Sequence, residues 1–150
     1  MPPALAALDH RFDAAFGAAA NPLKHLGASA FLMMWLLGAT GIVLFAVLDT
    51  SVAGAWQSID ALSAGRFSAG SILRGLHRYA ADAFLLLMAL HLLRELLLGR
   101  FAHDRALAWT TGLALVLIAL ACAIGGFWLH WDRLGQFSAM ATAEWLDALP

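Results

Sequence analysis

The stretch whose reading decides the fold is SILRGLHRYAADAFLLLMALHLLRELLLGR, residues 71–100. About twenty apolar residues suffice to cross a bilayer, so this segment is long enough to span one. It nevertheless carries Arg74, His77, Arg78, Asp82, His91, Arg94 and Glu95. The other two long apolar stretches, residues 26–48 and 106–129, carry no Asp, Glu, Lys or Arg. Ionisable groups at bilayer depth cost several kcal/mol each and mark, by default, a functional site facing a protein interior. His77 and His91 lie fourteen residues apart. At about 100° per residue, fourteen helical steps return to within about 40° of the starting direction, so both imidazoles leave one helix face. They are roughly 21 Å apart along the axis, too far for one metal ion and suited to two large cofactors stacked through a membrane.

Composition agrees with a membrane chain. Of 150 residues, 62% are hydrophobic and 13% charged, which excludes an ordinary soluble domain. A net charge of −1 without a Lys/Arg cluster offers no surface for nucleic acid. The single cysteine, Cys122, lies in an apolar run and reads as a small packing residue. Residues 1–25 contain Asp9, His10, Arg11, Asp13 and Lys24 and lack a compact apolar centre, so no cleavable signal peptide is expected.

Residues 3–20 read as an amphipathic helix, with Leu5, Leu8, Phe12, Ala15 and Phe16 on one side and Asp9, Arg11 and Asp13 on the other. Such a helix lies along a membrane surface; the alternative is a mobile alanine-rich tail. Asn21-Pro22 breaks it. A first span follows over residues 26–48, then a Gly/Ser-containing loop over 49–70. In that loop Trp56 either anchors at the interface or lies along the surface. The second span covers about 71–98, a polar turn 99–105, and the third span 106–129. After HWDRLGQF, residues 138–149 read as a short interfacial helix. The expected fold is all-α and integral to the membrane: an interfacial helix over 1–25, a three-helix transmembrane domain over 26–129, and a surface loop with a short interfacial helix over 130–150. Arg11, Lys24, Arg94, Arg100 and Arg105 fall on one side, against Arg66, Arg74, Arg78 and Arg133 on the other. That narrow excess favours an N-terminus on the cytoplasmic side.

Neutral imidazole is an axial ligand of haem iron, and haem brings two carboxylates that need partners in a low-dielectric site. Arginine supplies a permanently charged fork for them. Arg74 lies three residues before His77 and Arg94 three after His91, each one turn outside its histidine. A lone helical histidine is more often a packing residue, and Arg94 by itself can pair with Glu95 or a lipid phosphate. Two same-face histidines, each flanked outward by arginine, point further, to two b-type haems. The glycines agree. Gly27 and Gly41 are fourteen apart in the first span, Gly112 and Gly126 fourteen apart in the third. Antiparallel spans put Gly41 and Gly126 at the depth of His77, and Gly27 and Gly112 at that of His91, making room for a flat macrocycle.

These motifs resemble one family. The pattern LRGLHRYAADAFLLLMALHLLREL, the Thr40-Gly41 pair, WTTG ending at Gly112, IGGFWL around Gly126 and the tail from Trp131 to Ala148-Leu149-Pro150 are similar to the N-terminal part of the cytochrome b subunit of bc-type quinol-oxidising complexes. The resemblance implies axial ligation of a low-potential haem by His77 and of a high-potential haem by His91, with Arg74 and Arg94 near the haems. It implies quinol or quinone as exchange partner, other redox-complex subunits, and a bacterial or organellar energy-transducing inner membrane. In the family a fourth helix supplies the second ligand of each haem. His10, His25, His103 and His130 lie at or beyond membrane ends, so the resemblance implies a partner chain, a further segment or a homodimer as the source. His130-Trp131-Asp132 stands where the family has Pro-Trp-Gly, a segment bordering its outer quinol site.

The expected function is transmembrane electron transfer through two b-type haems, in a component not catalytic alone. The alternatives are a haem-free structural or assembly subunit and a polar path lined by Asp82 and the histidines.

Overall fold

The computed structural model describes residues 2–65, 67–101 and 105–148. Arg66, His103, Leu149 and Pro150, which entered the charge, ligand and motif readings above, lie outside them. The described residues form six α-helices: α1 (Pro3–Phe16), α2 (Leu26–Val47), α3 (Ala55–Ser63), α4 (Ala69–Leu97), α5 (Ala106–Trp128) and α6 (Arg133–Asp147). A 3-10 turn at Pro22–Lys24 precedes α2. Packing divides the chain into two compact units, one of Met1–Leu36 with Ala80–Ala119, the other of Leu37–Tyr79 with Leu120–Pro150.

In the first unit, α1 starts on Pro2-Pro3, where a proline at the first helical position sacrifices no internal hydrogen bond. It ends earlier than its sequence pattern, because Gly17 adopts φ +82° and its N–H closes onto the Asp13 carbonyl at 2.9 Å. Asn21 makes the break expected at Asn21-Pro22. It is fully buried, accepts from the Leu23 N–H at 2.9 Å, and donates to the Asp13 carboxylate at 2.7 Å and the Asp9 carbonyl at 3.3 Å. Lys24 closes the same corner with an ion pair to Asp13 at 2.8 Å. Those two neighbours, Lys24 first, hold the Asp13 carboxyl below its ordinary range.

In the second unit, the expected loop over 49–70 contains a helix. The Ser51 N–H turns onto the Asp49 carboxylate at 2.8 Å, and the Ser51 Oγ receives the Gly54 N–H at 3.0 Å. The chain thereby re-enters helical conformation as α3, which buries Ala55 and Ile59. Gly70, at the start of α4, faces the Leu62 carbonyl so closely that a Cβ would overlap it. The last helix also begins earlier than expected, at Arg133 rather than Ser138. Asp132 caps it by accepting from the Gly135 N–H at 2.7 Å, while Trp131 turns the chain with φ +48°. Trp56 is half exposed, and its ring meets His130 edge-on at 5.4 Å.

Two helices, Leu26–Val47 and Ala106–Trp128, are long and apolar enough to cross a membrane. The third expected span, α4, has 29 residues, carries Arg74, Arg78, Asp82, Arg94 and Glu95, and is not one of these two. Large apolar side chains lie outward on both long apolar helices, with Ile42 74%, Phe45 75% and Leu107 76% exposed. None of the described residues of α5 is buried.

Candidate functional site

Both histidines are carried on α4, one in each unit, and both are half-buried. Each imidazole packs against α2 at a glycine. A Cβ built on Gly41 would lie 3.3 Å from His77 Cε1 and 3.9 Å from its Nδ1. A Cβ on Gly27 would lie 3.1, 3.3 and 3.4 Å from His91 Cε1, Nε2 and Nδ1. Glycine at these positions lets the ring lie close to α2: an added Cβ would be tighter than an ordinary contact, and the imidazole would have to give by a few tenths of an ångström. The other two glycines behave differently. Gly112 faces Leu92 Cδ2, 3.0 Å from its would-be Cβ, rather than His91, and Gly126 has no atom within 4 Å.

His77 is oriented by a hydrogen bond. Its Nδ1 lies 2.8 Å from Thr40 Oγ1, and Thr40 is 5% exposed. The Thr40 hydroxyl also reaches back to the Leu37 carbonyl at 3.3 Å, the usual backbone bond of a helical threonine. Among the described residues no hydrogen bond reaches His77 Nε2 or either nitrogen of His91. No three His, Cys, Asp or Glu side chains converge among the described residues, so the protein offers single imidazoles rather than a closed shell for a bare ion.

The arginines sit as expected, one turn outside their histidines, but both have partners within the chain. Arg74 donates from Nη1 to Ser63 Oγ of α3. Around it, Ser63, Ser71, Arg74, Gly75, Arg78 and Tyr79 line an open depression. Arg94 donates from Nη2 to Asp9 Oδ2 of α1 at 2.8 Å, with both side chains about seven-eighths buried. Asp9, placed on the polar outer side of α1 by its sequence pattern, turns inward because this charge partner offsets its burial. Glu95, the alternative partner for Arg94, is taken instead by Arg100 at 3.4 Å and Arg105 at 3.7 Å. Asp9 Oδ1 and Arg94 Nε are buried without hydrogen-bond partners. No sequence pattern signals the Asp9–Arg94 pair, since its members are 85 residues apart. Asp82 is exposed.

The donor set fits axial haem ligation at His77. One ring nitrogen is held by a second residue, the other has no protein partner, and a glycine lets the ring lie against the neighbouring helix. At His91 the fit rests on the glycine and on two ring nitrogens without protein partners.

An all-helical chain with two membrane-length apolar helices and two isolated imidazoles on a third defines the class, and comparison with known proteins specifies it. Residues 15–150 match the family model for cytochrome b/b6/petB, and the chain belongs to the cytochrome b family. It is 30% identical to the cytochrome b6 of Prochlorothrix hollandica over 125 residues, 83% of this chain and 56% of that protein. The cytochrome b6 of Porphyra purpurea is also 30% identical over 125 residues, covering 83% of this chain and 58% of the relative. That of Auxenochlorella protothecoides is 29% identical over 124 residues. The chain thus spans a little over half the length of the curated relatives it matches.

Proposed function

We propose that this chain carries two b-type haems, one ligated by His77 and one by His91, and conducts electrons across an energy-transducing membrane as part of a quinol-linked cytochrome b complex. In this reading α4 is the third span, its polar groups tolerated because they face the cofactors and other protein rather than lipid. The observation that carries it is the pairing of each α4 imidazole with an α2 glycine, in a chain of the cytochrome b family. The outward apolar surfaces of α2 and α5 suit lipid and neighbouring subunits.

When bound, haem supplies the one-electron ferric/ferrous couple. The chain's own residues hold it. His77 and His91 donate a ring nitrogen each, and Gly41 and Gly27 let those rings sit against α2. Arg74 and Arg78 line one depression with Ser63, Ser71, Gly75 and Tyr79, and their cationic forks would hold haem carboxylates. At His91, Arg94 keeps Asp9 as its partner, so it holds α1 in place before it can serve any second carboxylate. A second ligand for each haem would be supplied by a partner chain, a further segment or a second copy of this chain. Quinol or quinone is the exchange partner, α1 lies at the membrane surface, and the N-terminus is cytoplasmic or on the matrix side.

The test is a dithionite-reduced minus ferricyanide-oxidised spectrum of the chain purified with its co-isolating subunits. Two b-type components are expected, with His77→Ala and His91→Ala each removing one. An unaltered spectrum in both variants would show that these histidines are not ligands. The absence of any haem would leave a structural or assembly role.

A further inference from the structure

We propose that Thr40 is the positioning residue for His77: it accepts the Nδ1–H, so that the ring presents Nε2 outward and becomes a more basic ligand than His91. This rests on the haem reading of His77. A threonine hydroxyl has one proton and two lone pairs. With the proton directed along α2 to the Leu37 carbonyl at 3.3 Å, a lone pair is left for the ring, and the 2.8 Å contact at Nδ1 is then an N–H donated by His77. The complementary nitrogen, Nε2, carries the lone pair. A ring nitrogen's protonation is set by the hydrogen bond that its partner nitrogen makes, and an acceptor at Nδ1–H pushes electron density onto the ligating atom.

The two sites differ here at one position. Thr40 precedes Gly41 as Leu26 precedes Gly27, so the residue before the glycine is a hydroxyl at His77 and an aliphatic chain at His91. Both residues are buried, Thr40 5% and Leu26 7% exposed. A more basic imidazole would favour the ferric form of a haem iron held there, so loss of the Thr40 acceptor would be read as a shift of the His77 component relative to the same assembly carrying Thr40.

The experiment is a redox titration of the haem-loaded assembly containing wild-type, Thr40→Val or Thr40→Ser chain, with the His77 component identified by its loss in His77→Ala. Thr40→Val keeps the shape and removes the acceptor; its His77 component should shift to more positive potential while the His91 component stays. Thr40→Ser restores the hydroxyl and should titrate like wild type. A His77 component that keeps its potential in Thr40→Val, with both haems retained, overturns the proposal. If Thr40→Val instead loses that haem, nitrogen-15 chemical shifts of His77 in the haem-free full chain decide. An Nδ1–H tautomer in wild type supports the role and an Nε2–H tautomer refutes it. A wild-type assembly without haem would refute the haem reading itself, a result distinct from all of these.

Discussion

The neighbourhoods of His77 and His91 share a helix and a glycine contact but hold their polar groups by different means. Around His77 the means are hydroxyls: Thr40 meets the ring and Ser63 meets Arg74. Around His91 they are steric and ionic: Gly27 lies against the whole edge of the ring, and Arg94 is bound to the carboxylate of Asp9. Neutral partners leave a guanidinium's charge available to a further anion, whereas a carboxylate partner neutralises it. In the haem reading, Arg74 would be the freer of the two arginines for a further anion, while Arg94 fastens α1 through Asp9.

Gly27→Leu should have the largest effect, abolishing the His91-dependent absorbance component while sparing that of His77. The milder Gly27→Ala should weaken haem retention at His91 by about 1–3 kcal/mol, the usual penalty for overpacking, read as haem loss to an apo-globin acceptor. Gly41→Ala should cost less, since its nearest ring contact is longer at 3.3 Å. Equal losses would erase the steric distinction. Next in size is Asp9→Ala, which leaves a buried guanidinium unpaired and should destabilise the docking of α1 by about 3 kcal/mol. Amide exchange across α1 would report it. Ser63→Ala, which removes a neutral partner, should cost about half as much. Gly126→Ala should change the stability of the haem-free fold by less than about 0.5 kcal/mol, because no described protein atom stands within 4 Å of the added methyl. A large loss there would show that the position faces a group supplied by haem or a partner.

The smallest expected effect is on pH. The Asp13 carboxyl is held below its ordinary value of 3.8, chiefly by Lys24. A lowered folded-state value means that its contribution is fully present above that ordinary value and fades as pH falls through the lower, folded-state one. The corner between α1 and the 3-10 turn should therefore loosen only in strong acid, seen as faster exchange at the Leu23 amide, and Asp13→Asn should remove the dependence.

Much of this was legible in the chain. Charge-free runs of span length gave α2 and α5 almost to the residue. The common fourteen-residue interval matched Gly41 in depth to His77 and Gly27 to His91, but as room for a macrocycle rather than as the ring contacts that the structure shows. Gly112 and Gly126 follow the same interval without meeting a ring: Leu92 lies against the first, and open space lies beside the second, where a macrocycle was expected to need room. The helix α3 was hidden by its shortness and by its Gly- and Ser-rich surroundings, although Asp49-Thr50-Ser51 carries the turn chemistry that starts it. The early start of α6 was written in Asp132, a capping residue three before Gly135. The partners Asp9 and Arg94 were not legible, since periodicity places an acid on a helix face and says nothing of a cation 85 residues later.

The most direct measurement is a pyridine haemochrome determination on the chain isolated with its natural partner subunits, normalised to the amount of this chain. The account predicts close to two b haems per chain, falling to one in His77→Ala and to one in His91→Ala. Full haem content in both variants, or none in the wild-type assembly, would contradict it.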